Sequence, residues 1–149
     1  MPLSGFLLRA FEFGDLGQVI QVERASFPER PYGKLDFVSC LLLAREGFVV
    51  ACVGGSAVGY VIAMRQGREG MIQSIAVSPE LRQKGVGEAL MRSAIGHLSG
   101  RFRRAYLLVD SNNEPAIRLY RKLSFSETGK VIKEYYPNGG DAVEMAREL

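Results

Sequence analysis

The sequence contains few of the residues that build metal centres and disulfide networks, and no long hydrophobic run. Its 149 residues include two cysteines and one histidine. Cys40 and Cys52 lie in apolar stretches without the spacing of metal ligands, which favours buried thiols in a reducing compartment and predicts no metal site. No apolar run approaches the roughly 20 residues needed to cross a bilayer, and the first residues lack a signal-peptide pattern. We therefore expect a cytoplasmic protein without a membrane partner.

Runs of like charge are also absent. Nineteen Lys and Arg residues against sixteen Asp and Glu residues leave a formal net charge of +3. This mildly basic balance suits an anionic ligand, and without a basic arm we expect no nucleic-acid partner. With 47% hydrophobic and 23% charged residues, the composition is that of a globular protein. The length fits one domain spanning residues 1–149.

Hydrophobic periodicity predicts the order β-α-α-β-β-β-α-β-α-β-β. An opening strand is expected from Phe6 to Phe11, Asp15 is placed as the cap of the first helix, and a second helix is expected from Lys34 to Ala44. The segments TGKVIKEYY and DAVEMARE are expected to pair across PNGGD, a strong turn signal. Helical crossovers late in the chain imply parallel pairing and the hairpins imply antiparallel pairing, so the sequence predicts a mixed α/β sheet.

The stretch IAVSPELRQKGVGEAL joins a predicted strand to a predicted helix through cations and glycines. The first N–H groups of a helix lack intrahelical partners and carry partial positive charge, while glycine lets the backbone approach a ligand closely. Such a turn can hold a phosphate, and the alternative is a charged surface turn. The pattern is not the P-loop G-x-x-x-x-G-K-[ST], and it lacks the third glycine of the dinucleotide fingerprint.

Two segments resemble signatures of the GNAT acetyltransferase superfamily. Residues 82–87 are similar to its coenzyme A motif, Q/R-x-x-G-x-G/A after a strand. NNEPAIRLYRKLSF resembles N-x-x-A-x-x-L-Y-x-x-x-G-F, with Ser124 in place of the usual glycine. The resemblance covers nearly the whole chain. It implies a single GNAT domain, with a central mixed, mostly antiparallel sheet of about seven strands flanked by four helices.

The resemblance also implies acetyl-CoA as the cofactor. Its pantetheine arm would pair with the strand ending at Val77, and its pyrophosphate would lie on the backbone N–H groups of residues 83–87. A donor near Val77 would polarise the thioester carbonyl. The expected cofactor-binding residues are Ile75, Ala76, Val77, Arg82, Gln83, Lys84, Gly85, Val86, Gly87, Asn113, Ala116 and Tyr120.

Within the superfamily, three features resemble N-terminal protein acetyltransferases of the RimI and Nat types. RASFPERPY is similar to their loop between the first two helices, where Phe27, Pro28 and Glu29 would line the peptide entrance. EYYPNGGDAVEMAREL resembles their closing hairpin, with Tyr135 and Tyr136 over the peptide backbone. The chain is also little longer than the catalytic domain. A protein or peptide N-terminus is the implied substrate, and an auxiliary subunit or the ribosome is a further candidate partner.

The resemblance assigns a general acid but leaves the base open. Tyr120 would protonate the coenzyme A thiolate or hydrogen-bond to it. Without the motif, a core position on the helix would be the preferred interpretation of this tyrosine. Relatives carry a base at the positions of Leu108 and Met71, which are apolar here. The remaining candidates are Glu29, acting directly or through water, Tyr135 through water, or no strong base. His97 is expected near the end of a helix rather than as a base.

The missing strand base favours an N-terminal amine over lysine. The reference pKa is about 7.7–8.0 for an α-amine and 10.4 for lysine, so deprotonation at pH 7 costs roughly 1 and 5 kcal/mol respectively. Transfer to a lysine or small-molecule amine, and a non-catalytic coenzyme A-binding module, remain the alternatives. Relatives often have arginine where Asp110 stands. We also expect an apolar first-residue pocket near Phe27.

Overall fold

A computed structural model describes residues 5–29 and 31–149 of the protein. Within these residues, a seven-stranded sheet carries helices on both faces. The strands are β1 (Phe6–Ala10), β2 (Phe48–Val53), β3 (Ser56–Gln66), β4 (Glu69–Val77), β5 (Arg104–Asp110), β6 (Ser126–Ile132) and β7 (Ala142–Glu148). The helices are α1 (Leu16–Ser26), α2 (Lys34–Ala44), α3 (Val86–Ser99) and α4 (Glu114–Lys122).

The sheet has the order β1-β2-β3-β4-β5-β7-β6. Every neighbouring pair is antiparallel except β4 and β5, which are parallel. This topology confirms the predicted mixed, mostly antiparallel sheet of about seven strands with four helices. In the part of the chain that the structure describes, no helix is long and apolar enough to cross a membrane.

Separate hydrophobic cores hold the helices on the two faces of the sheet. Val86, Leu90, Ala94 and Leu98 follow helical spacing along α3, and all four are buried against the sheet together with residues of α4. Complete burial of a leucine or valine side chain contributes about 1.5–3 kcal/mol. The apolar stripe of α3 therefore fixes the helix, and with it the loop that precedes its first turn.

Aromatic rings dominate the opposite core, under α1 and α2. Phe37 of α2 meets Tyr60 of β3 edge to face, with ring centroids 5.4 Å apart. Phe48 of β2 stacks on Phe11, with centroids 4.3 Å apart. Such ring pairs add about 0.5–1.5 kcal/mol to the area they bury. They hold the connection between α1 and α2 close to strands β3 and β4.

Asp15 precedes α1, but its side chain does not cap the helix as predicted. The carboxylate instead pairs with both terminal guanidinium nitrogens of Arg9, at 2.7 Å each, and accepts the N–H of Glu12 at 2.8 Å. Arg9 also holds the pKa of Asp15 below its usual value. A bidentate arginine–carboxylate pair is stronger than a neutral cap, which explains the difference.

The closing hairpin differs from its prediction at the turn. Strand β6 ends at Ile132, so KEYY lies in a loop of residues 133–141 rather than in a strand. Glu134 takes a positive φ of 50°, and its N–H donates to the Asp141 carboxylate at 3.0 Å. The N–H of Tyr136 donates to the carbonyl of Gly140 at 3.0 Å. These contacts within the turn override the strand propensity of the two tyrosines.

Candidate functional site

A groove opens where β4 and β5 separate. The two strands pair only through Gly70 with Ala105 and Met71 with Tyr106, although both continue for several residues beyond those pairs. Along its opposite edge, β5 pairs with β7 over its whole length. Within the described residues, β4 therefore has no strand partner on this side from Ile72 onward. An open strand edge of this kind presents N–H and C=O groups to an extended ligand.

A bulge in β4 marks the start of the groove. Ile72 pairs with Ala63 and Ser74 pairs with Ile62, which leaves Gln73 as an extra residue on β4. A bulge bends its strand and increases the local twist, and bulges are frequent beside active sites. The bulge therefore accounts for the departure of β4 from β5 at this point.

The predicted phosphate loop, residues 82–87, lies between the end of β4 and the start of α3. Gly85 is the N-terminal cap of α3, with φ 89°, and Gln83 also has a positive φ of 61°. Glycine adopts this left-handed conformation without steric cost, which explains a glycine at position 85. The turn directs the N-terminus of α3 to the end of the groove, where the partial positive charge of a helix favours an anion.

Arg82 does not extend freely from this loop. Its Nε donates to the carbonyl of Val77 at 3.2 Å, and its Nη2 donates to Ser26 Oγ at 3.1 Å. The side chain thus joins the end of β4 to the end of α1. Lys84 is exposed, and no ion pair reaches it from residues 5–29 or 31–149. Backbone N–H groups, Lys84 and the remaining guanidinium N–H groups of Arg82 are therefore left to meet an anion here.

Tyr120 lies on α4 with its ring in the core and 7% of its surface exposed. The ring packs edge to face on Phe125, with centroids 6.3 Å apart. No hydrogen bond from the described part of the chain contributes to the pKa of its hydroxyl. Burial raises the pKa of Tyr120 to about 12, so the phenol is neutral at physiological pH and can donate one hydrogen bond.

Asn113 begins α4 and uses its side chain locally. Its Oδ1 accepts the N–H of Ala116 at 3.3 Å, the bond expected of an N-terminal cap. The predicted contacts of Asn113 and Ala116 with a cofactor stay predictions. Ser124, just beyond α4, has φ 70°, which explains the glycine usual at this position of the motif.

The loop between α1 and α2 is called here the entrance loop, residues 27–33, of which Arg30 lies outside the described residues. Phe27, Pro28 and Glu29 are all exposed. No ion pair or side-chain hydrogen bond from another described residue holds Glu29. Their predicted place at a peptide entrance is compatible with this exposure and stays a prediction.

Two tyrosines occupy the loop of residues 133–141. The rings of Tyr135 and Tyr136 meet edge to face, with centroids 5.0 Å apart, and Tyr135 is the more exposed. Burial, and then the neighbouring Tyr135, raise the pKa of Tyr136 well above its usual value. Asp110, Tyr120 and Tyr32 shift the pKa of Tyr136 in the same direction.

Asp110 at the end of β5 fastens this tyrosine loop. Its carboxylate accepts Asn138 Nδ2 and the N–H of Asn112, each at 2.9 Å. Gly140 passes so close that a Cβ there would stand 2.3 Å from Asp110 Oδ1. The aspartate at this position therefore has a structural role, which is to hold the tyrosine loop against the groove.

The two apolar residues at the expected base positions lie at the groove. Met71 stands at its start, and Leu108 lies on β5 opposite Glu144 of β7. Glu144 supplies a carboxylate beside Leu108, but this group accepts Thr128 Oγ1 at 3.0 Å and lies 3.6 Å from the Arg104 guanidinium. It is thus held within a polar cluster on β5, β6 and β7.

His97 lies in the last turn of α3, as expected. Burial lowers its pKa. The residue stands beside Gly47, at the end of the helix opposite the phosphate loop.

Sequence reasoning missed a polar network beneath the entrance loop. Glu23 of α1 is only 2% exposed, and its carboxylate accepts the Tyr60 hydroxyl and the N–H of Tyr32, the latter at 2.8 Å. The Tyr60 hydroxyl also lies 2.8 Å from Ser74 Oγ, and Gln73 Nε2 donates to the Tyr32 hydroxyl at 3.1 Å. Burial raises the pKa of Glu23. The sequence does contain one indication of this network, because Glu23 occupies a position of the α1 pattern where an apolar residue is expected.

A cavity of about 490 Å³ lies elsewhere, near β6 and β7. Its lining includes Arg104, Thr128 and Arg147, and none of the predicted site residues. The groove between β4 and β5 is open on the surface, so an elongated ligand fits it better than a compact, enclosed one. The predicted motifs and the strand separation therefore make the groove, and not the cavity, the candidate site.

Comparisons with known proteins agree with this geometry. The family model described as Acetyltransferase (GNAT) family matches residues 16–125. An N-alpha-acetyltransferase of Saccharolobus solfataricus is 35% identical over 97% of this chain and 93% of its own length. The crystal structure of Ard1 from Thermoplasma volcanium is 28% identical and covers 97% of this chain and 98% of its own, with a TM-score of 0.91.

A phosphinothricin acetyltransferase from Sinorhizobium meliloti, solved in complex with AcCoA, shares the fold as well. It is 25% identical, with a TM-score of 0.82 over 97% of this chain and 88% of its own.

Proposed function

The chain belongs to the acetyltransferase (GNAT) family, and we propose that it transfers the acetyl group of acetyl-CoA to the N-terminal amine of a protein or peptide. The observation that carries the proposal is the groove at which β4 leaves β5, with the phosphate loop at one end, the entrance loop bonded to β4 and the tyrosine loop bonded to β5. The Saccharolobus solfataricus relative, an N-alpha-acetyltransferase, supports the α-amine as acceptor.

The groove fits acetyl-CoA, which supplies the activated acetyl thioester. The open edge of β4 offers backbone groups from Ile75 to Val77 to the pantetheine amides, in the manner of an added strand. The left-handed Gly85 and the N-terminus of α3 suit the pyrophosphate. In this proposal the N–H groups of residues 83–87 hold the phosphates and Lys84 adds charge. Asn113 and Ala116 line the cofactor arm.

Arg82 would contribute in an indirect way. Its guanidinium joins Val77 to Ser26, so it orders the end of β4 where the thioester carbonyl would meet a backbone donor. The arginine of the motif would thus have a structural role that requires no direct contact with phosphate.

Tyr120 would act as a hydrogen-bond donor to the leaving sulfur. Its pKa is about 12, whereas a thiol has a reference pKa of about 8.5. Complete proton transfer from this buried phenol to the thiolate is therefore uphill. Of the two roles predicted for Tyr120, hydrogen bonding is thus favoured over protonation.

The amine would approach from the side of the entrance loop. In the proposal, Phe27 and Pro28 contact the first residue, and Tyr135 and Tyr136 hold the peptide backbone. A neutral amine can attack without a strong base, because its pKa of about 7.7–8.0 leaves an appreciable neutral fraction at pH 7. Glu29, exposed on the loop, is the proposed acceptor of the proton, directly or through water. An auxiliary subunit or the ribosome is proposed as the partner that presents the N-terminus.

The choice of amine can be tested with matched acceptors and acetyl-CoA. We expect peptides with a free N-terminus and no lysine to be acetylated, as measured by thiol release and peptide mass. We expect poor reaction with two other acceptors. One is a matched peptide with a blocked N-terminus and a single added lysine, and the other is a polyamine. Preference for the blocked peptide or the polyamine would assign a different acceptor. Binding of coenzyme A without acetylation of any amine would indicate a binding module.

Replacing Glu29 with glutamine tests the proposed proton acceptor. Because no described residue pairs with Glu29, the change should not disturb the fold, and we expect kcat to fall by about tenfold, below the 10²–10⁴ of a full general base because the α-amine needs little help. Peptide affinity, measured separately by calorimetry, should change little. The control is Glu80→Gln, at an exposed site beyond β4. An unchanged kcat would leave solvent or Tyr135 as the acceptor.

A further inference from the structure

We propose that Glu23 is a positioning residue for the amine substrate, which it serves by fixing the entrance loop against the bulge of β4. The inference rests on the proposed function, since it names the residue that sets where the acceptor lies relative to the groove. Glu23 does not reach the groove itself and acts through Tyr32 and Tyr60.

The burial of Glu23 requires an explanation in the first place. The residue is 2% exposed, in the last turns of α1, among the aromatic side chains of the core under α1 and α2. A carboxylate in such surroundings is costly unless hydrogen bonds satisfy its oxygens. A leucine would fill the same position of the helical pattern at lower cost. The carboxylate is thus expected to make contacts that a leucine could not make.

Both oxygens of Glu23 are used, and they connect different parts of the chain. Oε1 accepts the hydroxyl of Tyr60 on β3, and that hydroxyl lies 2.8 Å from Ser74 Oγ on β4. Oε2 accepts the N–H of Tyr32, in the entrance loop, at 2.8 Å. The carboxylate therefore links the loop to the two central strands.

A second contact closes the link into a ring. The hydroxyl of Tyr32 accepts Gln73 Nε2 at 3.1 Å, and Gln73 is the extra residue of the bulge that starts the groove. Tyr32 is thus held at its N–H by Glu23 and at its hydroxyl by β4. Because Ser74 follows Gln73 directly, the ring runs through Glu23, Tyr60, the bulge and Tyr32. It fixes the end of the entrance loop above the point where β4 leaves β5.

This placement matters for the reaction because the acceptor must meet the groove in a defined position. A misplacement of about 1 Å can cost about 10²-fold in rate. The cofactor side depends on residues 75–77 of β4, the phosphate loop and α3, none of which hydrogen-bonds to the Glu23 carboxylate among the described residues. Loss of Glu23 should therefore affect the peptide and spare acetyl-CoA.

The test compares Glu23→Ala with Glu23→Gln, in the full chain. The alanine variant loses both links, and we expect its peptide KM to rise about tenfold or more with acetyl-CoA affinity within about twofold, since a hydrogen bond to a charged group commonly counts for a tenfold change. Glutamine has the same length as glutamate. Its amide oxygen can accept the N–H of Tyr32 while its amide nitrogen donates to the Tyr60 hydroxyl, so the peptide KM of this variant should stay within about threefold of the wild-type value. Arg24→Ala, at the exposed neighbouring residue, is the control.

Hydrogen exchange supplies a readout that needs no activity. In Glu23→Ala the amide of Tyr32 should exchange faster because its N–H loses its acceptor, while the amides of residues 83–87 should be unchanged. Gln73→Met removes only the contact to the Tyr32 hydroxyl, leaves no cavity in the core, and should raise peptide KM in the same direction.

Three results would overturn the inference: unchanged exchange at the Tyr32 amide, equal losses for peptide and acetyl-CoA, or a glutamine variant as impaired as alanine. The last would mean that the site requires the negative charge of Glu23 and not its hydrogen-bond links. If the wild-type chain acetylated no peptide, the proposed function would fail, and the exchange data would still decide whether Glu23 holds the loop.

Discussion

Replacing Tyr120 with phenylalanine is expected to lower turnover by about 100-fold or more, the loss found when one hydrogen-bond donor to a developing negative charge is removed. The ring would keep its packing on Phe125, so only the hydroxyl is lost. Without that donor, the sulfur that leaves the acetyl group would develop charge in a buried region with no replacement partner. Steady-state kinetics should show a loss in kcat, while calorimetry should show acetyl-CoA affinity within about twofold, because a group used only in the transition state contributes little to binding.

The matched control is Tyr106→Phe, which removes a hydroxyl from β5 at the closed end of the groove and should leave kcat nearly unchanged. The pH dependence gives a second check. Tyr120 must stay protonated, and its pKa of about 12 means that this requirement is met throughout the usual range. The rate should therefore rise towards the amine pKa of about 7.7–8.0 and show no fall on the alkaline side up to about pH 10. An alkaline fall near neutral pH would contradict the assignment to Tyr120.

The cofactor half of the site could be predicted because its determinants are local in sequence. The glycines and cations of residues 82–87, the apolar stripe of α3 and the segment from Asn113 to Phe125 each occupy one short stretch. The residues within each short stretch determine the conformation of the turn and the position at which the helix begins. The positive φ of Gly85 and of Ser124 accounts for two of the motif positions in physical terms.

The acceptor half could not be predicted in the same way, because it depends on contacts between distant residues. Glu23 and Tyr60 are 37 positions apart, and Tyr32 and Gln73 are 41 apart. Helical periodicity places Glu23 on the buried face of α1 without indicating any partner. A hydrogen-bond ring of this kind appears only when the sheet register and the bulge are known.

The errors in the prediction have the same origin. Asp15 is a good helix cap by residue type, yet Arg9 on β1 outcompetes the helix N–H groups for its carboxylate. The tyrosines of the closing hairpin have strand propensity, yet Asp110, on the neighbouring β5, holds Asn138 and thereby a longer loop. In both cases a charged side chain brought close by the sheet decides the local structure.

Replacing Gly85 with alanine is expected to separate cofactor binding from folding. The residue has φ 89°, a conformation that costs an ordinary L-residue about 1–2 kcal/mol, so the melting temperature should fall modestly. The main effect should be on acetyl-CoA. If the turn relaxes to avoid this strain, the N–H groups of residues 83–87 no longer converge, and affinity should fall by about tenfold or more, as expected for the loss of one or more charge-assisted hydrogen bonds.

Gly96→Ala provides the same substitution later in the same helix. A Cβ there would meet nothing within 4 Å, and the helix interior favours alanine by about 0.5–1 kcal/mol, so this variant should be slightly more stable with unchanged affinity. Calorimetry with coenzyme A and thermal unfolding of both variants would decide. Equal affinities for the two variants would mean that the phosphates do not depend on the turn at Gly85. A loss confined to Gly85→Ala would mean that the left-handed turn creates the anion seat.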